Sequence, residues 1–331
     1  MTGELVVVTG AGGFIGGHLV SLLRRTHDGP IRAVDTKPEH TWHQRFDDVE
    51  NLRLDLADRA AGYQALEGAR DVYNLAADMG GMGFIENNRA LCMLSVLINT
   101  HLLLAARGLG VRRYFFASSA CVYAAARQRR AQVTALRESD AYPAMPEDGY
   151  GWEKLFSERM CRHFSEDFGL HTRVARYHNV YGPHGTFDGG REKAPAAICR
   201  KVALARLTGR HEIEIWGDGR QTRSFMYIDD CTRGTVAIMD SDVDEPINLG
   251  SSELVTINQL VDLVEAIAGV RLRRHYNAQA PQGVRGRNSD NSMLRERLGW
   301  EPSTPLVLGL ERTYRWIHDR LATGMGSHAA G

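Results

Sequence analysis

Residues 4–9, ELVVVT, make a short apolar run that ends at glycines. A run of that length, bounded by turn residues, fits a strand buried on both faces of a parallel sheet. Residues 14–25 follow, with Phe14, Ile15, Leu19, Leu22 and Leu23 spaced along one face of a helix. Further strand-like runs fall at 31–34, 51–54, 71–75, 113–117 and 172–176, with helical stretches between them, notably 88–108 and 150–168. Repeated βα units predict an α/β fold, a doubly wound parallel sheet.

After about residue 180 the texture changes. Gly and Pro cluster in 181–195, helical spacing returns at 194–208, and EIEIW at 212–216 alternates as a strand does. Residues 257–268 and the segment from about 306 are helical in pattern. These pieces predict a smaller C-terminal lobe over 181–331, mainly for substrate. The first domain would span 1–180, with residues of about 220–250 returning to it. The last eight residues, GMGSHAAG, are expected to fray.

Composition narrows the function. With 40 Lys and Arg against 40 Asp and Glu, broad electrostatic binding of nucleic acid or a membrane surface is not expected. No run of about 18 apolar residues stands out as a membrane span. The N-terminus lacks the basic region and cleavage site of a signal peptide. Cys92, Cys121, Cys161, Cys199 and Cys231 are widely spaced without a CxxC. They read as reduced thiols of a cytoplasmic protein, with no metal site. The chain has only four lysines, Lys37, Lys154, Lys193 and Lys201, against 36 arginines. Where nearly every cation is Arg, a retained Lys deserves a chemical reason.

Gly10, Gly13 and Gly16 lie between the first strand and the first helix. That placement gives a tight turn, a close approach to a pyrophosphate and close helix packing, with free helix N–H groups facing the anion. Asp35 ends the second strand, 19 residues past Gly16, where a carboxylate accepts from a ribose 2′-OH and repels a 2′-phosphate. The cofactor implied is NAD, in a Rossmann-type fold. Asp55 is placed to bond the adenine. Phe14 and Ile15 beside the glycines, and Leu75 and Ala76 after the fourth strand, complete the expected lining.

Tyr150 and Lys154 form YxxxK on a helix, one turn apart on one side. An ammonium beside a phenol favours the phenolate, making Tyr150 a base for a sugar hydroxyl. Ser118 and Ser119 follow the strand RYFFA, at a carboxyl end where such sheets bind ligands.

These features resemble the extended short-chain dehydrogenase/reductase superfamily. Several segments are similar, more narrowly, to its GDP-mannose 3,5-epimerase family: NLAADMGGMGFIENN (74–88), ASSACVY (117–123), YGWEK (150–154), RYHNVYGPHGTFDGGREKAPAAICRK (176–201), WGDGRQTRSFMYIDD (216–230) and VRGRNSDN (284–291). The resemblance implies a GDP-sugar substrate, with C5 and C3 inverted through a transient 4-keto sugar. It implies that Tyr150, Lys154 and Ser119 serve the hydride steps, and that Cys121 and Lys193 are the acid/base pair. It assigns substrate contacts to Gly80, Ser119, Ala120, Cys121, Tyr150, Asn179, Glu192, Lys193, Ala194, Lys201, Gln221, Thr222, Arg223 and Arg287, with Arg285 the alternative to Arg287. It also implies a homodimer joined through the helices near 88–108 and 150–168. A lysine that must release a proton cannot be an arginine, which suits Lys193.

The segment after Cys121, AAARQRRAQ, and Trp152 depart from the family pattern and leave open whether C5 inverts alone. A simple 4-epimerase would not need Cys121 and Lys193 together. A 4,6-dehydratase needs a carboxylic acid after the serines, where this chain has Ser119-Ala120-Cys121. A non-catalytic NAD-binding regulator would be expected to lose Tyr150 or Lys154.

Overall fold

A computed structural model describes residues 3–328. Six strands, β1 (Leu5–Thr9), β2 (Ile31–Asp35), β3 (Glu50–Arg53), β4 (Ala69–Asn74), β5 (Arg113–Ser119) and β6 (His171–Tyr177), form a parallel sheet with a seventh strand, Ile247–Leu249. Their order is Ile247–Leu249, β6, β5, β4, β1, β2, β3. The order reverses direction beside β1, and the crevice there is where such sheets hold a dinucleotide. Alternation fills both faces. Val6 and Val8 of β1 pack into one core, while Val7 joins the other with Val34, Val72 and Phe116. Each such buried side chain contributes about 1.5–3 kcal/mol.

Residues beyond 180 build small sheets and covering helices. Glu212–Trp216 pairs with Arg273–Asn277, and Thr222–Ser224 lies between Leu254–Thr256 and Gly286–Arg287. Helices Ala194–Thr208, Ile257–Ala268 and Leu306–His328 pack together. The chain crosses back at Ile228–Asp240, which packs on the first helix, Phe14–Thr26, before adding Ile247–Leu249 to the main sheet. The last helix runs into the segment expected to fray, and residues 329–331 of that segment lie outside the described residues.

The stretch read as one helix over 88–108 is two, Arg89–Met93 and Ser95–Leu109, after a short helix Met82–Asn87. Arg89–Leu109, 21 residues with a window of mean hydropathy 1.6, is long and apolar enough to cross a bilayer by length and composition, a test that core helices also meet. Polar residues interrupt its apolar run, so counting uninterrupted residues misses it. In the fold it lies on the sheet with Leu102, Leu103, Ala105 and Ala106 buried. Asn99 there accepts hydrogen bonds from Asn74 and Tyr114 at 3.2 and 2.9 Å.

The helix Tyr150–Phe168 is fixed to the sheet by a buried ion pair. Arg176 on β6 donates Nε and Nη2 to the two oxygens of Glu158 at 2.9 and 2.7 Å. Ser118 donates to Glu158 Oε1 at 2.5 Å, and Arg176 Nη1 donates to the Glu138 carbonyl at 2.7 Å. Both charged side chains are only 2% exposed. Removing one partner leaves a buried charge, at a cost of about 3–5 kcal/mol. Glu158→Ala is therefore expected to destabilise the protein by about that amount in urea unfolding. A loss below about 1 kcal/mol would contradict this role.

Candidate active site

The glycine turn has the form a pyrophosphate needs. Gly10 has φ 72°, and a Cβ there would lie 2.8 Å from the Leu75 carbonyl. A Cβ on Gly16 would run into the Gly10 carbonyl oxygen, so the third position of the first helix must be glycine. A Cβ on Gly13 meets only that oxygen, at 3.1 Å, and otherwise points into open space. Gly13 caps the helix without a side-chain bond, and no acidic residue sits in the first turn. The helix N-terminus thus presents its N–H groups and positive dipole end to a space that a side chain would fill.

Asp35 is buried at the end of β2, where Oδ2 accepts from Gly12 N and Oδ1 from Lys37 N, both at 3.0 Å. Each oxygen keeps a lone pair for a ribose hydroxyl. Asp55 lies exposed past β3, with Oδ1 accepting from Ala57 N. Phe14 and Ile15 open the first helix. Leu75 N donates to the Thr9 carbonyl, and Ala76 N to Asn74 Oδ1, at the neighbouring strand end. These groups suit NAD.

A cavity of about 260 Å³ opens at the carboxyl ends of β5 and β6 and extends to residues beyond 180. It is lined by Gly80, Ser119, Ala120, Cys121, Tyr150, Asn179, Glu192, Lys193, Ala194, Lys201, Gln221, Arg223 and Arg287. Several chain regions converge there. The short turn Ala120–Val122 follows β5, and Ser119 Oγ accepts from Cys121 N at 3.2 Å. Tyr150 begins its helix after Gly149, whose φ of 73° turns the chain into the helix. Lys193 caps the helix Ala194–Thr208 from a loop held against Gly81, whose N–H donates to the Arg191 carbonyl. Gln221 and Arg223 point in from alternate positions of one extended segment.

That alternation corrects the reading of Thr222. Its side chain faces away from the cavity and donates to the Ala131 carbonyl at 2.6 Å. Neighbours on a strand take opposite faces, so Gln221 and Arg223 exclude Thr222. Arg285 likewise lies outside, paired with Asp218 through two bonds of 2.7 and 2.8 Å, whereas Arg287 lines the cavity. Ser118 points down to Glu158 and Ser119 up to the cavity.

Burial works against a phenolate at Tyr150. Lys154 is buried below the cavity, its Nζ 5.5 Å from the Tyr150 ring centroid and 4.6 Å from that of Phe116. It lies over the ring face, and burial holds the phenol well above its ordinary pKa. The Ser119 hydroxyl pulls in the other direction without winning. Burial lowers the pKa of Lys193, opposed by Cys121. Lys201 is also lowered by burial, and its Nζ donates to the Glu214 carbonyl at 2.8 Å. Burial brings Arg223 down to about 10, which leaves it charged at neutral pH.

Two residues that hold Arg287 carried no signal in the sequence. Glu147 and Gln128 both bond the Arg287 guanidinium, which reaches Cys121 Sγ at 3.8 Å. Glu147 is a loop carboxylate near Pro146 and Asp148, and nothing in its spacing sets it apart. It also places a carboxylate beside Cys121 where the local sequence has none, although that group is committed to Arg287.

Gly13→Ala tests the anion cradle. The added methyl meets one oxygen at 3.1 Å, so the fold should survive. The purified variant is expected to lose most of its NAD by absorbance and extraction while its melting temperature in cofactor-free form holds. Full NAD content would contradict the assignment.

The NAD dependent epimerase/dehydratase family model matches residues 6–250. The chain is 44% identical over 317 residues to a GDP-mannose 3,5-epimerase of Arabidopsis thaliana, covering 96% of this chain and 82% of that protein. It is 45% identical to GDP-mannose 3,5-epimerase 1 of Oryza sativa subsp. japonica, with the same coverage. Among solved structures, UDP-glucose 4-epimerase of Thermotoga maritima with UDP-glucose superposes with TM-score 0.86 at 25% identity, covering 96% of this chain and 100% of that one. UDP-glucuronic acid 4-epimerase of Bacillus cereus, in complex with UDP-glucuronic acid and NAD, gives 0.82 at 25% identity, with the same coverage. The glycine turn, the YxxxK helix and these likenesses agree: the chain belongs to the NAD-dependent epimerase/dehydratase family.

Proposed function

We propose that the protein epimerises GDP-mannose at C5 and C3 through a transient 4-keto sugar, giving GDP-L-gulose and GDP-L-galactose. The observation that carries this reading is the meeting of Cys121 and Lys193 with Tyr150 in one cavity, where a 4-epimerase would need Tyr150 without the pair. The relatives named as GDP-mannose 3,5-epimerases support the same substrate.

A hydrogen on a saturated sugar carbon is not acidic. Oxidising C4 to a ketone acidifies the hydrogens at C3 and C5, because their loss gives an enolate. NAD, when bound, supplies the acceptor for the C4 hydride, and its cationic nicotinamide favours the phenolate of Tyr150. Tyr150 takes the proton of the C4 hydroxyl and returns it at the end of the cycle. Lys154 fixes Tyr150 from beneath. Cys121 and Lys193 exchange the C5 proton from opposite faces, which inverts the centre, and C3 follows by the same chemistry. The lowered pKa of Lys193 makes its proton easier to release. Arg223, Lys201 and Arg287 provide cationic partners for the diphosphate.

We further propose a homodimer through the helical face of Arg89–Leu109 and Tyr150–Phe168. Leu94 and Phe156 are 56% and 52% exposed there, with Leu91, Met93 and Trp152 also exposed. An apolar face of this kind marks an interaction surface.

GDP-mannose incubated with the protein in deuterated water is expected to gain deuterium at C5 and C3 by NMR. Retention of both original protons would overturn the epimerase reading, and uptake at C5 alone would restrict it to one centre. Lys193→Ala should slow uptake by at least about a hundredfold without lowering NAD content, in line with loss of a general acid. The double variant Leu94→Glu, Phe156→Glu is expected to sediment as a monomer where the unaltered protein sediments as a dimer; a monomeric unaltered protein would refute the dimer.

A further inference from the structure

Cys121 is held at both ends of its peptide unit. Its N–H donates to Ser119 Oγ at 3.2 Å, and its carbonyl accepts from Glu147 N at 3.0 Å. Its thiol faces Arg287, which is 4% exposed and whose Nη1 lies 3.8 Å from Sγ. The same guanidinium donates through Nε to Gln128 Oε1 at 2.6 Å and through Nη2 to the Glu147 carboxylate. Two partners therefore aim the fork, and one is an anion.

The charges around the thiol are uneven. Arg287, Arg223 and Lys193 are the cations that face it. Tyr150 adds a neutral phenol. Glu147 is the carboxylate on the nearest cation, while Glu192, also lining the cavity, is paired with Arg200. Cations favour a thiolate. A group that takes and gives a proton in every cycle works best when neither form is strongly preferred at the working pH.

We propose that Glu147 is a positioning residue for the Cys121 proton transfer: it clamps Arg287 against the thiol and offsets part of the guanidinium charge, so that Cys121 both takes and releases its proton. The proposal rests on the acid/base role given to Cys121 above. It gives the loop entering Tyr150 a second task, because the segment that ends in the hydride-step tyrosine also tunes the epimerisation thiol. It also explains why Arg287, buried and held on three sides, stands at the thiol.

The test uses the NAD-loaded protein, Glu147→Gln and Glu147→Asp. The glutamine keeps an acceptor for Arg287 and removes the charge; the aspartate keeps the charge and withdraws it by one methylene. Alkylation of Cys121 by iodoacetamide is followed against pH by peptide mass. Cys121 lines the cavity, while Cys92, Cys161, Cys199 and Cys231 are 0% exposed, and peptide mass reads Cys121 separately. The pH of half-maximal alkylation is expected to fall by about one unit in Glu147→Gln. Glu147→Asp gives a smaller fall, and it decides the question should Glu147→Gln not fold. No downward shift in a folded variant overturns the proposal. In Glu147→Gln, deuterium uptake at C5 should drop about tenfold while hydride exchange at C4 persists. Equal loss of both would mark a merely structural residue and also overturn it. The alkylation needs no substrate. Failure of the epimerase reading would appear separately, as absence of deuterium uptake by the unaltered protein.

Discussion

The buried pair of Arg176 and Glu158 fixes the geometry on which the site depends. Arg176 is among the largest fully buried side chains, and its guanidinium ties β6 to the helix that begins at Tyr150. Ser118 on β5 and the carbonyl of Glu138 join the same network. Tyr123 adds its hydroxyl to Arg176 at 3.2 Å. The chain just before Ser119 and just after Cys121 is thus pinned to the helix that carries Tyr150 and Lys154. A pair with both charges buried adds little net stability over an apolar replacement, but it tolerates almost no displacement. That intolerance suits a site whose reacting groups must hold their positions.

Above this base the cavity is built from charge placed against burial. Tyr150 is pushed toward its phenol form and Lys193 toward its neutral form by the same removal from water. The shifts make opposite demands: Tyr150 needs help to lose its proton, and Lys193 needs help to keep one. A bound nucleotide sugar with its diphosphate would add negative charge beside Lys193, Lys201 and Arg223, and would raise the value of each cation in the pocket. The scarcity of lysine gains a reason here. Lys154, Lys193 and Lys201 all lie at or directly beneath the cavity, and the flexible ammonium is the form of cation that can both fit and titrate.

The resemblance and the structure converge on one cavity, and the structure settles which arginine of the VRGR segment enters it. Position in a motif cannot separate Arg285 from Arg287, two residues apart in VRGRNSDN. The short strand at Gly286–Arg287 turns one inward, and Arg285 pairs with Asp218 at the surface. Alternation along the chain removes Thr222 from a segment whose neighbours Gln221 and Arg223 both line the pocket. At Thr222 a period of two decided what the motif left undivided, and at Arg285 the ion pair with Asp218 did.

By itself the sequence determined the parallel sheet, the glycine turn and the YxxxK helix, because each is local. Apolar runs that end in glycines set the strands, three glycines with specific steric tasks set the turn, and a spacing of four sets one helix face. The pairing of Cys121 with Lys193 was legible only through the family's motifs, since 72 residues separate the two. Only the tertiary structure decided the rest. Glu147 and Gln128 reach Arg287 across 140 and 159 residues, with no local signal in their spacing. The opposition to a Tyr150 phenolate comes first from burial, and Lys154 sits over the ring face. Local pattern follows from backbone geometry that each residue carries with it. Charge environment follows from which distant segments are brought together and from how much water they exclude.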